Sequence, residues 1–590
     1  MRSTTLRLLL LLLAMAVLGG CVSLPDAGIV TTQPGQEPVQ QGDGSFDYTP
    51  SGPRRGSPPL EIVQDWLLSM QASPQSTAVA RKFLTVEAQP GWRPQQGTLI
   101  YSSKLVGGKR DNVDVSLVGT VQLDERGTWL GTTGGAGGRK YRLRLVRERG
   151  QWRIANPPDA LLIPRSHFET RYQQFFVYFF DPTARVLVPE PTYLPRGEQA
   201  ATLLVRRLLR GPAPSQKGVL RSFIPGGTEY VLSVPVSSDG VAQVELSEQL
   251  LQLRADDRQM ALAQLAWTLR QVTGVESMRV TVGGSPIDIP GAGSPQSVKS
   301  WAEFDPSIHW ASQELFGIRD KKVVAVGAEG GEVVGRFGAQ DYALRDIAVD
   351  LEAENVAGVT DDGTTVVVAP RGGAGGKPPD PGQTKVVYSG GTDVLRPAWD
   401  VFDELWVVDN TRRGTTVSIV KNGAVSRVDA PGLEDQDVSR FVVSRDGTRL
   451  VAVVKGRTGD HLVISRVLRT EAGKVRALTP AVGLPLAQGG VDEIRDLAWR
   501  GPGSLAVLTG PTRDSSQVLL ALVDGSTALP GVDSTAEIFR GRTVRLVASP
   551  SPGTPLFLGS PQGSLFELGS DGQWTEASMG GPMLAPTFVG

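Results

Sequence analysis

Leu344-Arg345-Asp346-Ile347-Ala348 returns down the C-terminal half of the chain as Leu395-Arg396-Pro397-Ala398-Trp399, Val438-Ser439-Arg440-Phe441-Val442, Ile494-Arg495-Asp496-Leu497-Ala498 and Val544-Arg545-Leu546-Val547-Ala548. The starts lie 51, 43, 56 and 50 residues apart, and each string leads into an apolar strand. That is the interval of a four-stranded propeller blade, roughly 40 to 50 residues. Turn sequences sit where a blade needs them, with Asp361-Asp362-Gly363 ahead of Val366-Val367-Val368 and Arg445-Asp446-Gly447 ahead of Leu450-Val451-Ala452-Val453. Val323 to Gly335 supplies strands before the first repeat, so residues 292–590 have room for an all-β propeller of about six blades. An immunoglobulin-like sandwich also uses short strands, but nothing in it would repeat at this interval.

Upstream, residues 171–291 read as an α+β unit. Phe175-Phe176-Val177-Tyr178-Phe179 is a strand, Gln199 to Arg210 a helix stopped by Gly211-Pro212, and Tyr230 to Val234 and Val241 to Leu246 two further strands. The next helix carries Leu262, Leu265, Ala266, Leu269 and Val272 on one stripe, widened by Met260 and Trp267, with Ala261, Gln264, Thr268 and Gln271 opposite. Gly274 ends it and Met278 to Val282 is the closing strand. The strings LLRGP (208–212), FIPGGT (223–228), VAQVELS (241–247), LAQLAWTL (262–269) and GVESMRVTVGG (274–284), in this order and spacing, resemble the GerMN domain of spore-germination and cell-envelope proteins. Glu245 stands where that family usually has aspartate, and Gly283-Gly284 where it has Asp-Gly.

Residues 58–170 form a second α+β unit. Helical patterns at Leu60 to Met70 and Thr77 to Phe83 precede antiparallel strands at Val113 to Leu117, Tyr141 to Leu145 and Gln151 to Ile154. The order of elements resembles the cone-shaped nuclear-transport-factor-like fold. Residues 21–57 are rich in Pro, Gly, Gln, Ser and Thr, a composition that buries too little apolar surface to offset ordering entropy. They read as a tether with a reach of roughly 30 to 40 Å.

The first 20 residues read as a signal peptide: Arg2 and Arg7 precede an apolar run from Leu8 to Leu18 that is too short to span a bilayer. Leu18-Gly19-Gly20-Cys21 resembles a bacterial lipobox, which implies that Cys21 is diacylated and becomes the mature N-terminus on the extracytoplasmic face of the cell membrane. An ordinary secretory signal cleaved nearby is the other reading. Cys21 is the only cysteine, so no disulfide forms within the chain. Sixty basic against sixty-one acidic residues removes any bulk attraction to nucleic acid.

Chemistry-bearing groups are sparse. His167, His309 and His461 stand apart, with no second ligand at metal spacing. There is no G-x-S-x-G elbow and no GxxxxGK[ST] loop, and the glycine runs at 134–138 and 372–376 lack a dinucleotide fingerprint. Asp256-Asp257 suits a helix start. We expect no catalytic, cofactor or metal residues. In Arg139-Lys140-Tyr141-Arg142-Leu143-Arg144, alternation turns Arg142 and Arg144 outward, toward solvent or toward anionic headgroups and wall polymers.

Signal peptide, lipidated cysteine, tether, α+β unit, GerMN-like unit and propeller together resemble the actinobacterial LpqB lipoprotein family over nearly the whole chain. The resemblance implies a non-catalytic partner of the MtrB sensor histidine kinase. Such a protein would bind the kinase's extracytoplasmic part and modulate an MtrAB-like two-component system controlling envelope homeostasis and cell division. The competing expectation is an envelope protein that binds, or weakly hydrolyses, peptidoglycan.

Overall fold

The computed structural model describes residues 48–135, 138–287, 293–327, 330–333, 335–371, 384–486, 491–527 and 538–590. Cys21, the signal segment, most of the tether and the 372–376 glycine run lie outside the described residues.

In the first unit, Pro59–Ser69 is a helix with proline at its first position, where the missing N–H costs nothing. Ile62, Val63, Trp66 and Leu67 form its buried stripe, each side chain stabilising by about 1.5–3 kcal/mol. Two four-stranded sheets complete the unit. One runs Trp129–Thr133, Thr120–Asp124, Gly97–Tyr101, Leu161–Pro164, and the other Ser103–Lys109, Asn112–Val118, Arg139–Glu148, Gln151–Ile154. The expectation of antiparallel strands alone is corrected, because Gly97–Tyr101 pairs in parallel with Leu161–Pro164. Six strands' worth of chain separates these edges, enough for a crossover that local patterning does not show. On Arg139–Glu148, Leu143 and Leu145 are buried while Arg142 and Arg144 are exposed, as alternation requires.

The GerMN-like unit pairs Val241–Leu246 in parallel with Ser277–Val282, with the helix Ala255–Leu269 as the crossover. Its sheet takes a last strand from Gln296–Ser297, beyond the expected boundary at 291. Tyr230 to Val234 is not a strand. It makes only an isolated bridge to Leu246, Leu232 is 87% exposed, and Pro235 removes the next donor.

A strand that patterning missed governs the assembly. Leu187–Pro195 pairs antiparallel with Tyr172–Phe180 over nine residues, although Pro189, Pro191 and Pro195 argue against a strand. Spaced by two, these prolines share one strand edge, so their missing N–H groups fall on the side away from the partner. The opposite edge of the hairpin is satisfied by the helix Ala255–Leu269 and the residues just after it. Gln264 donates to the Tyr178 carbonyl (3.0 Å) and accepts from Phe223 N–H (2.8 Å). Gln271 donates to the Phe176 carbonyl (2.7 Å) and accepts from Phe176 N–H (2.8 Å), and Thr268 accepts from Tyr178 N–H (3.3 Å). The polar side of the helix is therefore buried, with Gln264 and Thr268 fully enclosed, and side-chain amides extend the strand ladder.

Six sheets follow, hereafter blades I to VI. Blade I is Gly330–Val333, Lys322–Gly327, Leu315–Arg319 and the C-terminal Leu584–Thr587. Blade II is Leu344–Val349 through Lys385–Tyr388, blade III Ala398–Trp399 through Ala424–Val428, and blade IV Val438–Val443 through Val475–Leu478 with Val482–Leu484 added. Blade V has three described strands, Ile494–Gly501 to Gln517–Leu522, and blade VI runs from Arg545–Val547 to Trp574–Glu576. Each innermost strand touches the next, and Leu584–Thr587 touches those of blades II and VI, so the end of the chain closes the ring. Closure hides the sheet edges that an open array would expose.

The hairpin joins the units. Arg466 forks both guanidinium nitrogens onto Glu190 (2.7 and 2.8 Å), Arg449 adds a third contact (3.0 Å) and Gln216 a fourth (2.6 Å). Tyr193 shares a 2.6 Å hydroxyl bond with Ser526. Gly503 is required by proximity, since a Cβ there would lie 2.6 Å from the Phe176 ring. On the other flank, Thr192 Oγ1 donates to the Arg126 carbonyl of the first unit (2.7 Å).

Candidate binding site at the propeller mouth

Every hairpin contact on the propeller lies near the turns where innermost strands end or along the outer strands beside them: Arg449, Gly503, Ser526. The opposite face carries the starts of the innermost strands. There, five blades each contribute one charged side chain to the channel entrance: Asp346 from blade II, Arg396 from III, Arg440 from IV, Asp496 from V and Arg545 from VI. Arg545 pairs with Asp346 at 2.7 Å. Arg396 reaches Asp496 across the channel at 3.5 Å, and Arg440 Nε stands 3.8 Å from the same oxygen, beyond hydrogen-bond distance.

Asp496 is fully enclosed and its two oxygens also accept Leu497 N–H and Leu546 N–H, each at 3.0 Å. It therefore ties blades V and VI together at the backbone while holding arginines from III and IV. Burial lowers the Arg440 pKa, Asp496 opposes this, Arg545 adds to it, Asp346 opposes it and Arg396 adds to it. The set is one electrostatic unit. Its sum is three guanidiniums against two carboxylates. Arg440 Nε and Ser439 Oγ are enclosed without a hydrogen-bond partner.

Below the mouth the channel narrows to a cavity of about 60 Å³ lined by residues such as Ala398, Leu497 and Leu546. That is room for a few waters. At its far end Arg445, buried and drawn down to about 10 by desolvation, donates to the carbonyls of Ser307 and Val589 and to Ser551 Oγ. The channel is a closed cup.

Two other repeat arginines take no part. Arg345 donates to Asp393 and to the Val394 carbonyl (both 2.6 Å), and Arg495 to Glu493 (2.7 Å) and to the Thr512 carbonyl (3.0 Å). Sequence reading used the repeats as phase marks and passed over the recurring arginine, which was the available signal. The histidines remain apart. His167 is lowered to about 4 by burial and by Arg171, His309 faces Asp305 at 3.8 Å, and His461 is exposed at a strand start. Among the described residues, no group of three His, Cys, Asp or Glu is placed to hold a metal, and no helix is long and apolar enough to cross a membrane.

Residues 52–169 match the family model for the N-terminal domain of lipoprotein LpqB, and residues 322–588 that for the LpqB beta-propeller domain. The chain belongs to the LpqB lipoprotein family. Between those segments, residues 176–288 match the Germane model, described as sporulation and spore germination. Among the family's curated members, lipoprotein LpqB of Thermobifida fusca is 26% identical over 96% of both chains. That of Streptomyces coelicolor is 27% identical over 88% of this chain and 90% of its own. The first GerMN domain of the sporulation protein GerM from Bacillus subtilis aligns at 22% identity and a TM-score of 0.18, covering 21% of this chain and 93% of that one.

Proposed function

We propose that this family member is a lipid-anchored, non-catalytic accessory protein on the extracytoplasmic face of the cell membrane. It binds the extracytoplasmic region of a sensor histidine kinase and biases its signalling. Support for the anchor comes from the lipobox at Cys21 and from the lipoprotein names of the relatives.

The observation that carries the binding role is the asymmetry of the propeller. One face is consumed in holding the GerMN-like unit through buried ion pairs, whereas the other presents an arginine-rich mouth. A regulator of this kind acts through differential affinity for two kinase states. A tenfold preference shifts that equilibrium by about 1.4 kcal/mol.

Response-regulator phosphorylation is compared in cells carrying the full-length protein, the Cys21→Ala form or a deletion. The deletion should change phosphorylation and Cys21→Ala should weaken regulation without abolishing binding, because tethering supplies effective concentration rather than contacts. Equal phosphorylation in all three strains, with the ectodomain retained on peptidoglycan, would overturn the kinase reading in favour of wall binding.

A further inference from the structure

We propose that the propeller mouth binds one carboxylate of a partner protein segment, an acidic side chain or a free C-terminus, on the Arg396, Arg440 and Arg545 guanidiniums. This rests on reading the open face as the partner-binding face.

Charge decides between anions. Three guanidiniums face two carboxylates, leaving one positive charge in a half-buried setting. A carboxylate neutralises it. A phosphate group, closer to two negative charges, would overshoot against Asp346 and Asp496.

Both resident acids are already engaged. Asp496 accepts two backbone N–H groups and faces Arg396 and Arg440, and Asp346 holds Arg545. They fix the guanidinium planes and leave donors over. Arg440 supplies the clearest reachable charge: its Nη1 is spent on the Ser439 carbonyl (2.7 Å) and its Nε is enclosed without an acceptor, but its side chain is 34% exposed, so a ligand reaches the side chain from the open side and not at Nε. Guanidinium donors in a fork match carboxylate oxygens in pairs. The cup behind is about 60 Å³ and closed by Arg445, so the acid stops at the entrance and does not thread the channel.

The test uses full-length protein in detergent micelles, with trifluoroacetate as the probe read by ¹⁹F line broadening. Wild type should broaden the line, acetate should reverse this, and phosphate should need a higher concentration. Arg440→Gln should abolish the broadening, Arg440→Lys should retain part of it, and Lys140→Gln, the same charge loss on an exposed strand of the first unit, should leave it intact. Should Arg440→Gln lower the yield of folded protein, the partial loss of broadening in Arg440→Lys must still be seen.

Unchanged broadening in Arg440→Gln, equal loss in Lys140→Gln, or displacement by phosphate more readily than by acetate would overturn the site. A second arm measures binding of the purified kinase ectodomain to wild type and Arg440→Gln. Loss in the variant supports the carboxylate contact, and undiminished binding overturns it. Anion binding at the mouth with no ectodomain binding by wild type would leave the site standing and remove the kinase.

Discussion

The two faces of the propeller handle arginine in opposite ways. On the closed face, Arg449 and Arg466 converge on Glu190, whose two oxygens receive four contacts, and the hairpin covers the whole arrangement. Burial alone would raise the Glu190 carboxyl, but Arg466 and Arg449 outweigh it and hold the pKa below the usual range. On the open face, Arg396, Arg440 and Arg545 outnumber their acids and Arg440 Nε finds no acceptor. Charge matched and sealed is a joint, whereas charge left in excess on a partly exposed side chain is the surface we propose for binding.

Removing Glu190 should produce the largest effect. Glu190→Ala leaves Arg466 without a counter-ion and Arg449 with only Asp446 at 3.4 Å, a change at a buried joint that costs about 3–5 kcal/mol. Chemical denaturation should show this loss at pH 7. The cost is also pH-dependent. Because the folded pKa is depressed, Glu190 contributes stability that is present above the unfolded value of about 4.3 and lost as pH falls through the folded pKa. Wild type and Glu190→Ala should therefore converge in stability below about pH 4, and a constant gap down to pH 3 would mean the joint is not ionic.

Gln264→Leu comes next. It orphans the Phe223 N–H and the Tyr178 carbonyl in a buried position, for a loss of about 2–4 kcal/mol. Hydrogen exchange should show Phe223 losing protection ahead of the blades.

Tyr193→Phe removes the hydroxyl bond to Ser526 and the one accepted from Gln174 (3.2 Å), together about 1–2 kcal/mol. Its unfolding midpoint should fall correspondingly little, and a drop as large as that of Glu190→Ala would relocate the joint to Tyr193. The smallest effect belongs to the open face. Arg440→Gln should change stability by less than ~1 kcal/mol, because its 3.8 Å approach to Asp496 is no hydrogen bond and Arg396 and two backbone N–H groups still hold that acid. A loss above 2 kcal/mol would make the mouth a structural clasp and erase the contrast between the faces.

Sequence by itself determined the parts. Repeats about 50 residues apart required blades, because a blade is one meander whose length is set by four strands and their turns. Stripe periodicity located the helices at Pro59–Ser69 and Ala255–Leu269, and alternation oriented Arg142 and Arg144. These are local properties, readable because side-chain direction follows from backbone period alone.

Tertiary structure decided what no local period contains. Leu187–Pro195 is a strand only because its prolines share the edge turned from its partner, and Gln264 and Gln271 are buried only because a strand edge lies against them. Tyr230 to Val234 had the apolar content of a strand but meets its neighbour Val241–Leu246 only in an isolated bridge at Tyr230. The mouth is the clearest case. Asp346, Arg396, Arg440, Asp496 and Arg545 are separated by 44 to 56 residues, and only ring closure by Leu584–Thr587 brings them within a few ångströms of one another, because the blade repeat puts them at matching places but does not say which meet across the channel.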